Sequence, residues 1–217
     1  MIFFVPLSIL LVFLFFLILL FLFLVVLPIQ AVRIALEKIG LSPAVAFFVL
    51  LASLVGSFIN IPLAVKTPDG FVPAFSYFGG FLTDVPHDVS VIAINVGGAI
   101  VPLCLCLYLI PKARFLPLFF ATIISALICH KLAKVVPGIG VQLPAFIPPI
   151  VAVFLAFLFS PGNKIPVAYI SGVCGVLIGA DLMNLGNLGD FAGMMSIGGA
   201  GVYDGIFLVG IISALLA

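Results

Sequence analysis

From Ile2 to Ile29 the chain carries no charged side chain. A stretch this long and this apolar cannot be hidden in the core of a water-soluble domain. As a helix its 28 residues would extend ~42 Å, more than the ~30 Å hydrocarbon layer of a bilayer, so it must tilt or emerge from the lipid. It has no basic leader and no small-residue cleavage site, and it exceeds the roughly 7 to 15 apolar residues of a secretory signal. The sequence therefore predicts a retained membrane helix over 1–29. Leu and Phe dominate it while Gly, Ala and Thr are absent, a composition suited to lipid contact rather than tight helix packing. A peripheral position follows.

The remainder is nearly as apolar. Hydrophobic residues make up 65% of the 217 and charged residues 7%, with mean hydropathy +1.54, whereas soluble domains carry about 25% charge. At ~20 residues per span the expectation is an all-α polytopic membrane bundle of about seven spans, forming a single integral domain over 1–217. The scattered Lys and Arg form no basic patch, which excludes nucleic acid as a partner. Cys104, Cys106, Cys129 and Cys174 lie in apolar segments and read as small hydrophobes. No cofactor is implied. Asp84, His87 and Asp88 offer three oxygen or nitrogen ligands within five residues, a weak metal candidate beside the simpler reading of a solvated, helix-capping loop.

Residues 30–41 set Val32, Ala35 and Ile39 around Arg33, Glu37 and Lys38, an interfacial amphipathic pattern with an i, i+4 ion pair. A second span starts at Pro43 and runs to about Ile59, followed by an extramembrane loop over 66–90. Val91 to Ile110 reads as a third span made bendable by Asn95, Gly97, Gly98 and Pro102. A fourth begins at Phe115 and closes on His130, Lys131 and Lys134. Residues 135–149, broken by Pro137, Gly138, Gly140, Pro144, Pro148 and Pro149, predict a re-entrant segment. A short fifth span covers 150–159, and residues 166–217 form a helical hairpin bearing Asp181 and Asp204. An outside amino terminus puts Arg33, Lys38, Lys112, Arg114 and Lys164 in the cytoplasm and leaves Lys66, Lys131 and Lys134 outside, as the positive-inside rule favours.

Asp181 and Asp204 are the expensive residues. A carboxylate in a membrane helix costs roughly 2.5 to 3.5 kcal/mol on insertion scales, so such acids face a bundle interior or a watery cavity and mark a function. Between them runs a Gly-rich stretch, Gly186 to Gly201. Its segment Met195 to Val202 is similar to Ile94 to Val101, and two such stretches in opposite halves suggest an inverted duplication, beside the simpler reading of chance among common small residues. Paired Gly breaks at membrane depth point to a transporter for a small solute or ion. In that reading Asp181 or Asp204 binds a cation or proton, Asn95, Asn184, Asn187 and Ser196 are neutral ligands, and Gly198 and Gly199 expose backbone.

Two other readings stand beside it. Asp181 and Asp204 could form a proton-sharing catalytic pair acting on a membrane-helix substrate, and Tyr203-Asp204 resembles the Tyr-Asp of intramembrane aspartyl proteases. That family's Gly-x-Gly-Asp is matched only by Asn187-Leu188-Gly189-Asp190, in the wrong order, and a regular hairpin would offset the two acids by ~12 Å. Alternatively the Gly, Asn and Asp residues pack and hydrogen-bond helices, in a structural or assembly protein. The partners implied are the bilayer and a small solute, ion or helix, with self-association as a homo-oligomer left open.

Asn60-Ile61-Pro62-Leu63, Val136-Pro137-Gly138-Ile139-Gly140, Leu143 to Pro149, Gly179-Ala180-Asp181-Leu182 and Ser196 to Leu208 together resemble an uncharacterised prokaryotic membrane-protein family, domain of unknown function 1614. The resemblance covers most of the chain after the first helix. It implies location in a prokaryotic cell membrane and draws attention to these positions, but carries no reaction with it.

Overall fold

The computed structural model describes residues 7–67, 70–78, 90–136, 140–188, 193–199 and 205–217. Helices α1 (Leu7–Phe21) and α2 (Leu27–Lys38) join through a π turn at Leu22–Val26. None of the α1 residues from Ile9 onward is buried. The amphipathic pattern places Val32, Ala35 and Leu36 of α2, with Ile39, in the core, and Arg33 Nε donates to Glu37 Oε1 at 2.7 Å. Helix α3 (Pro43–Gly56) starts where Ser42 Oγ accepts from the Val45 amide and Pro43 supplies a residue with no N–H to satisfy.

Strands β1 (Asn60–Thr67) and β2 (Gly70–Pro73), the short helix α4 (Ala74–Phe78) and strand β3 (Ser90–Asn95) follow. A π turn at Val96–Ile100 leads into α5 (Val101–Leu109), which closes in a 3-10 turn at Ile110–Lys112. Helix α6 (Phe115–Leu132) is followed by a hairpin of β4 (Lys134–Val136) and β5 (Gly140–Gln142). Helix α7 (Ile147–Phe159) begins on two prolines, and α8 (Lys164–Val176) continues through a π turn at Leu177–Asp181 and a 3-10 turn at Leu182–Asn184. The short α9 (Leu185–Leu188), strand β6 (Gly193–Ile197) and helix α10 (Gly205–Leu216) complete the chain.

The fold is mostly helical, but it is not all-α. Among the described residues β1, β2, β3 and β6 form one sheet in the order β2-β1-β3-β6, with β1 antiparallel and β6 parallel to β3. Val91 to Asn95 is thus a strand and not the start of a span. Its unbroken apolar run is what a strand buried on both faces requires, and periodicity alone cannot separate that from a helix. Pro62, which has no N–H to give a ladder, sits beside the irregularity of β1 between Pro62 and Ala64. Residues expected as a loop over 66–90 include β2, α4 and the end of β1. The segment expected as re-entrant holds the β4–β5 hairpin.

Among the described residues three helices are long and apolar enough to cross a membrane: Ile9–Lys38, Phe115–Leu132 and Lys164–Asn184. Four further apolar helices, Pro43–Gly56, Val96–Lys112, Ile147–Phe159 and Gly205–Leu216, are shorter. Seven spans were expected, whereas among the described residues three helices have full spanning length; in two of the other expected spans, strands β3 and β6 take the place of helix at the start.

Helix α8 is the centre. Gly175 and Gly179 pack against Ser125 and the Ala126 carbonyl of α6, and Gly172 packs against Val209 and Ser213 of α10, each too close to admit a Cβ. Small residues of this kind let helix backbones approach. Contacts climb α6 and α8 together, Gly175 with Ser125, Gly179 with Ala126, and Asn184 with His130, so the two run in the same direction with α7 returning between them.

The molecule has two unlike ends. At one, Lys38 Nζ donates to the Leu215 carbonyl at 2.7 Å, Tyr108 Oη to the Gly40 carbonyl at 3.0 Å, Lys112 Nζ to the Ile39 carbonyl at 3.4 Å, and Asn163 Nδ2 to the Lys112 carbonyl. The ends of α2, α5 and α10 and the starts of α3, α6 and α8 gather there. The sheet occupies the other end.

Candidate functional site

Asn95 is the last residue of β3 and is 1% exposed. Its Oδ1 accepts from the Gly98 amide at 2.8 Å, capping the helix that follows, while Nδ2 donates to the Ser57 carbonyl at 2.8 Å and to Asn60 Oδ1 at 2.9 Å. Asn60 Oδ1 also accepts from Ser196 Oγ at 2.5 Å. One polar cluster therefore ties the first residue of β1, the last of β3 and the fourth of β6 where three strands meet a broken helix. The backbone approach is close. Gly97 lies against the Ser53 carbonyl and the Ser57 amide of α3's last turn, and Ser53 Oγ donates to the Gly97 carbonyl at 2.8 Å.

The second Gly-Gly pair meets the first. Gly198 has φ +73°, and a Cβ there would come within 2.6 Å of the Ala99 methyl. Both observations restrict that position to glycine. The Gly199 amide donates to the Ser196 carbonyl at 3.1 Å, so β6 ends in a tight turn and not in a helix. The similar segments from Ile94 and from Met195 begin in the neighbouring parallel strands β3 and β6, with Ile94 opposite Ile197. Helices α5 and α10 both run toward the Lys-rich end, so in their described parts the two stretches are parallel, whereas an inverted arrangement was expected.

A second cluster closes the far end of α8. Asn184, 5% exposed, donates from Nδ2 to the Ala180 carbonyl at 2.8 Å and the Gly179 carbonyl at 3.1 Å, and Nδ2 lies 3.3 Å from His130 Nδ1. Asp181 is half-buried, at the end of the π turn and three residues before Asn184. π turns inside helices recur at functional sites.

The structure thus brings Asn95, Ser196, Gly198 and Gly199 into one region and Asp181 and Asn184 into another. Asn187 falls in α9. Asp204, and with it the proposed carboxylate pair, lies outside the described residues, as do Asp84, His87 and Asp88. Among the described residues no three His, Cys, Asp or Glu side chains gather as a metal site. Asn60 and His130 were not anticipated as members. Each was visible as a polar residue at the end of an apolar run, but its partners lie 35 to 136 and 54 residues away in sequence, beyond any local pattern.

Residues 54–216 match the model of a family described as a protein of unknown function, DUF1614. The chain belongs to that family. No curated protein and no solved structure matches it. In this DUF1614 chain the matched region contains every residue of both clusters, whereas α1, α2 and most of α3 precede it.

Proposed function

We propose that this is an integral membrane protein that carries a small polar solute or ion across the bilayer, using the region around Asn60, Asn95 and Ser196 with Asp181 as its charged group. The observation that carries this reading is the buried Asn95 at the junction of a strand and a broken helix. Helices α3 and α10, 14 and 12 residues long, rise ~21 and ~18 Å, less than a ~30 Å hydrocarbon layer. With the Lys-rich end at one interface, the strand ends lie inside that layer. Extended backbone there must be covered by protein or face a watery cavity, and helix breaks meeting at one point are how carriers expose amides and carbonyls to a substrate. Asp181 suits a cation or proton.

Purified protein in liposomes, screened for proton, sodium, potassium and small neutral solute flux, tests the proposal. We expect flux in at least one class and a loss of about tenfold or more in Asp181→Asn, the scale of removing an ion-binding charge worth ~1.4 kcal/mol or more. Folded protein that moves none of these solutes rejects carriage. Cleavage of a helical peptide, lost in both Asp181→Asn and Asp204→Asn, would replace it with the protease.

A further inference from the structure

An apolar groove of about 370 Å³ runs between α3 and α5, with Val45, Phe48 and Ala52 on one wall and Val101, Cys104 and Leu105 on the other. Val45 and Phe48 are 47% and 65% exposed and Cys104 is exposed, so the groove opens on the outer surface of the bundle. Both walls descend to the Lys-rich end. Val45 is two residues inside the start of α3, and Leu105 stands one turn above Tyr108 and seven residues, ~10 Å of helical rise, above Lys112.

Beyond that end of the groove the Lys112 ammonium sits 3.8 Å over the Tyr108 ring and 3.4 Å from the Ile39 carbonyl. Those contacts fix its position, and an ammonium has three protons to give. Lys112, Lys38 and Arg114 are exposed, and Lys164 follows Asn163, whose amide holds the Lys112 carbonyl. Among the described residues of this end the one acidic side chain is Glu37, which pairs with Arg33 at 2.7 Å, so basic side chains outnumber acidic ones there.

We propose that the groove holds an acyl chain of an anionic phospholipid whose phosphate is bound by Lys112 at its mouth. An apolar trough ending in fixed positive charge at the edge of the bundle matches a lipid in both parts: hydrocarbon beside α3 and α5, and an anion where basic side chains near a membrane surface attract one. The inference rests on membrane location alone and not on carriage of a solute.

Native mass spectrometry of the detergent-purified chain, titrated with phosphatidylglycerol or with phosphatidylcholine of the same chains, tests it. Wild-type protein should retain phosphatidylglycerol about fivefold better, the factor given by the ~1 kcal/mol that one basic residue contributes near anionic lipid. Lys112→Gln should abolish the preference while Lys112→Arg keeps it, and Ala52→Phe, which fills the groove, should lower retention of both lipids. Equal retention of the two lipids by wild type overturns the proposal, as does displacement of phosphatidylglycerol by glycerol phosphate at equal concentration. Maleimide labelling of Cys104 needs no variant that must fold. Added phosphatidylglycerol should slow it in wild-type protein, and unchanged labelling with lipid bound would place the lipid elsewhere and overturn the proposal.

Discussion

Asn95 shows how one side chain can decide where a helix starts inside an apolar run. Its carbonyl oxygen satisfies the Gly98 amide, and its amide nitrogen satisfies the Ser57 carbonyl left over at the end of α3. Truncation to Ala removes a cap worth about 1 kcal/mol and strands a buried N–H and a buried C=O at about 1–3 kcal/mol for each unsatisfied group. Relaxation and replacement partners reduce that sum, as they do for hydrogen bonds between membrane helices. Asn95→Ala should therefore lose about 2–4 kcal/mol in equilibrium unfolding from mixed micelles. Asn95→Asp should also be destabilised despite keeping the cap, because its second oxygen would face the Ser57 carbonyl and Asn60 Oδ1, two acceptors. A loss below about 0.5 kcal/mol for Asn95→Ala, the range of ordinary surface changes, would show that the cluster does not hold the junction. The sequence marked Asn95 as polar within an apolar stretch. It could not supply Asn60 and Ser196, whose contact with it depends on strand pairing across the whole chain.

At the scale of elements, helices were more legible than the sheet for a physical reason. An apolar run beginning at Pro43, or after Asn163, carries its own start signals and needs no distant partner to be helical. A strand buried on both faces has no alternation to betray it, and β3 exists because β1 and β6 flank it. Helix packing was only half legible: small residues in α8 announced close contact without saying with which neighbour. Their roles differ in a way that can be measured. A Cβ at Gly179 would strike the Ala126 carbonyl, part of a helix backbone, whereas nothing lies within 4 Å of one at Gly186. Gly179→Ala should cost about 3 kcal/mol, the upper range for overpacking. Gly186→Ala, at an exposed position of α9, should change stability by less than about 0.5 kcal/mol. Thermal unfolding of the two variants in one detergent checks the contrast, and equal melting temperatures would mean that α6 and α8 can separate at no cost.

For the whole molecule, the asymmetry between its ends is the basis on which we propose an orientation. The sequence assigned Arg33, Lys38, Lys112, Arg114 and Lys164 to one side by counting spans, a count that any miscounted segment would reverse. The contacts remove that dependence: Lys38 reaches Leu215, Lys112 reaches Ile39, and Asn163 reaches Lys112, so α2, α5, α8 and α10 share this end whatever their lengths. Lys66, Lys131 and Lys134 lie toward the sheet. Basic residues close to helix ends are retained in the cytoplasm, so the proposed orientation sets the sheet, the Asn95 cluster and the end of α8 with Asn184 toward the outside. A single cysteine at Gly162, in the turn before α8 where a side chain meets open space, should then react with a membrane-impermeant maleimide only after cells are permeabilised. One at Thr67, at the end of β1, should react in intact cells. Cys104, Cys106, Cys129 and Cys174 are first replaced by Ala or Ser so that each introduced thiol is read alone. The reverse pattern would turn the molecule over, placing the polar clusters on the cytoplasmic side and the phospholipid in the outer leaflet. A carrier would then meet its substrate at this site from within the cell, so the same labelling also fixes which side must be loaded first in the flux assay.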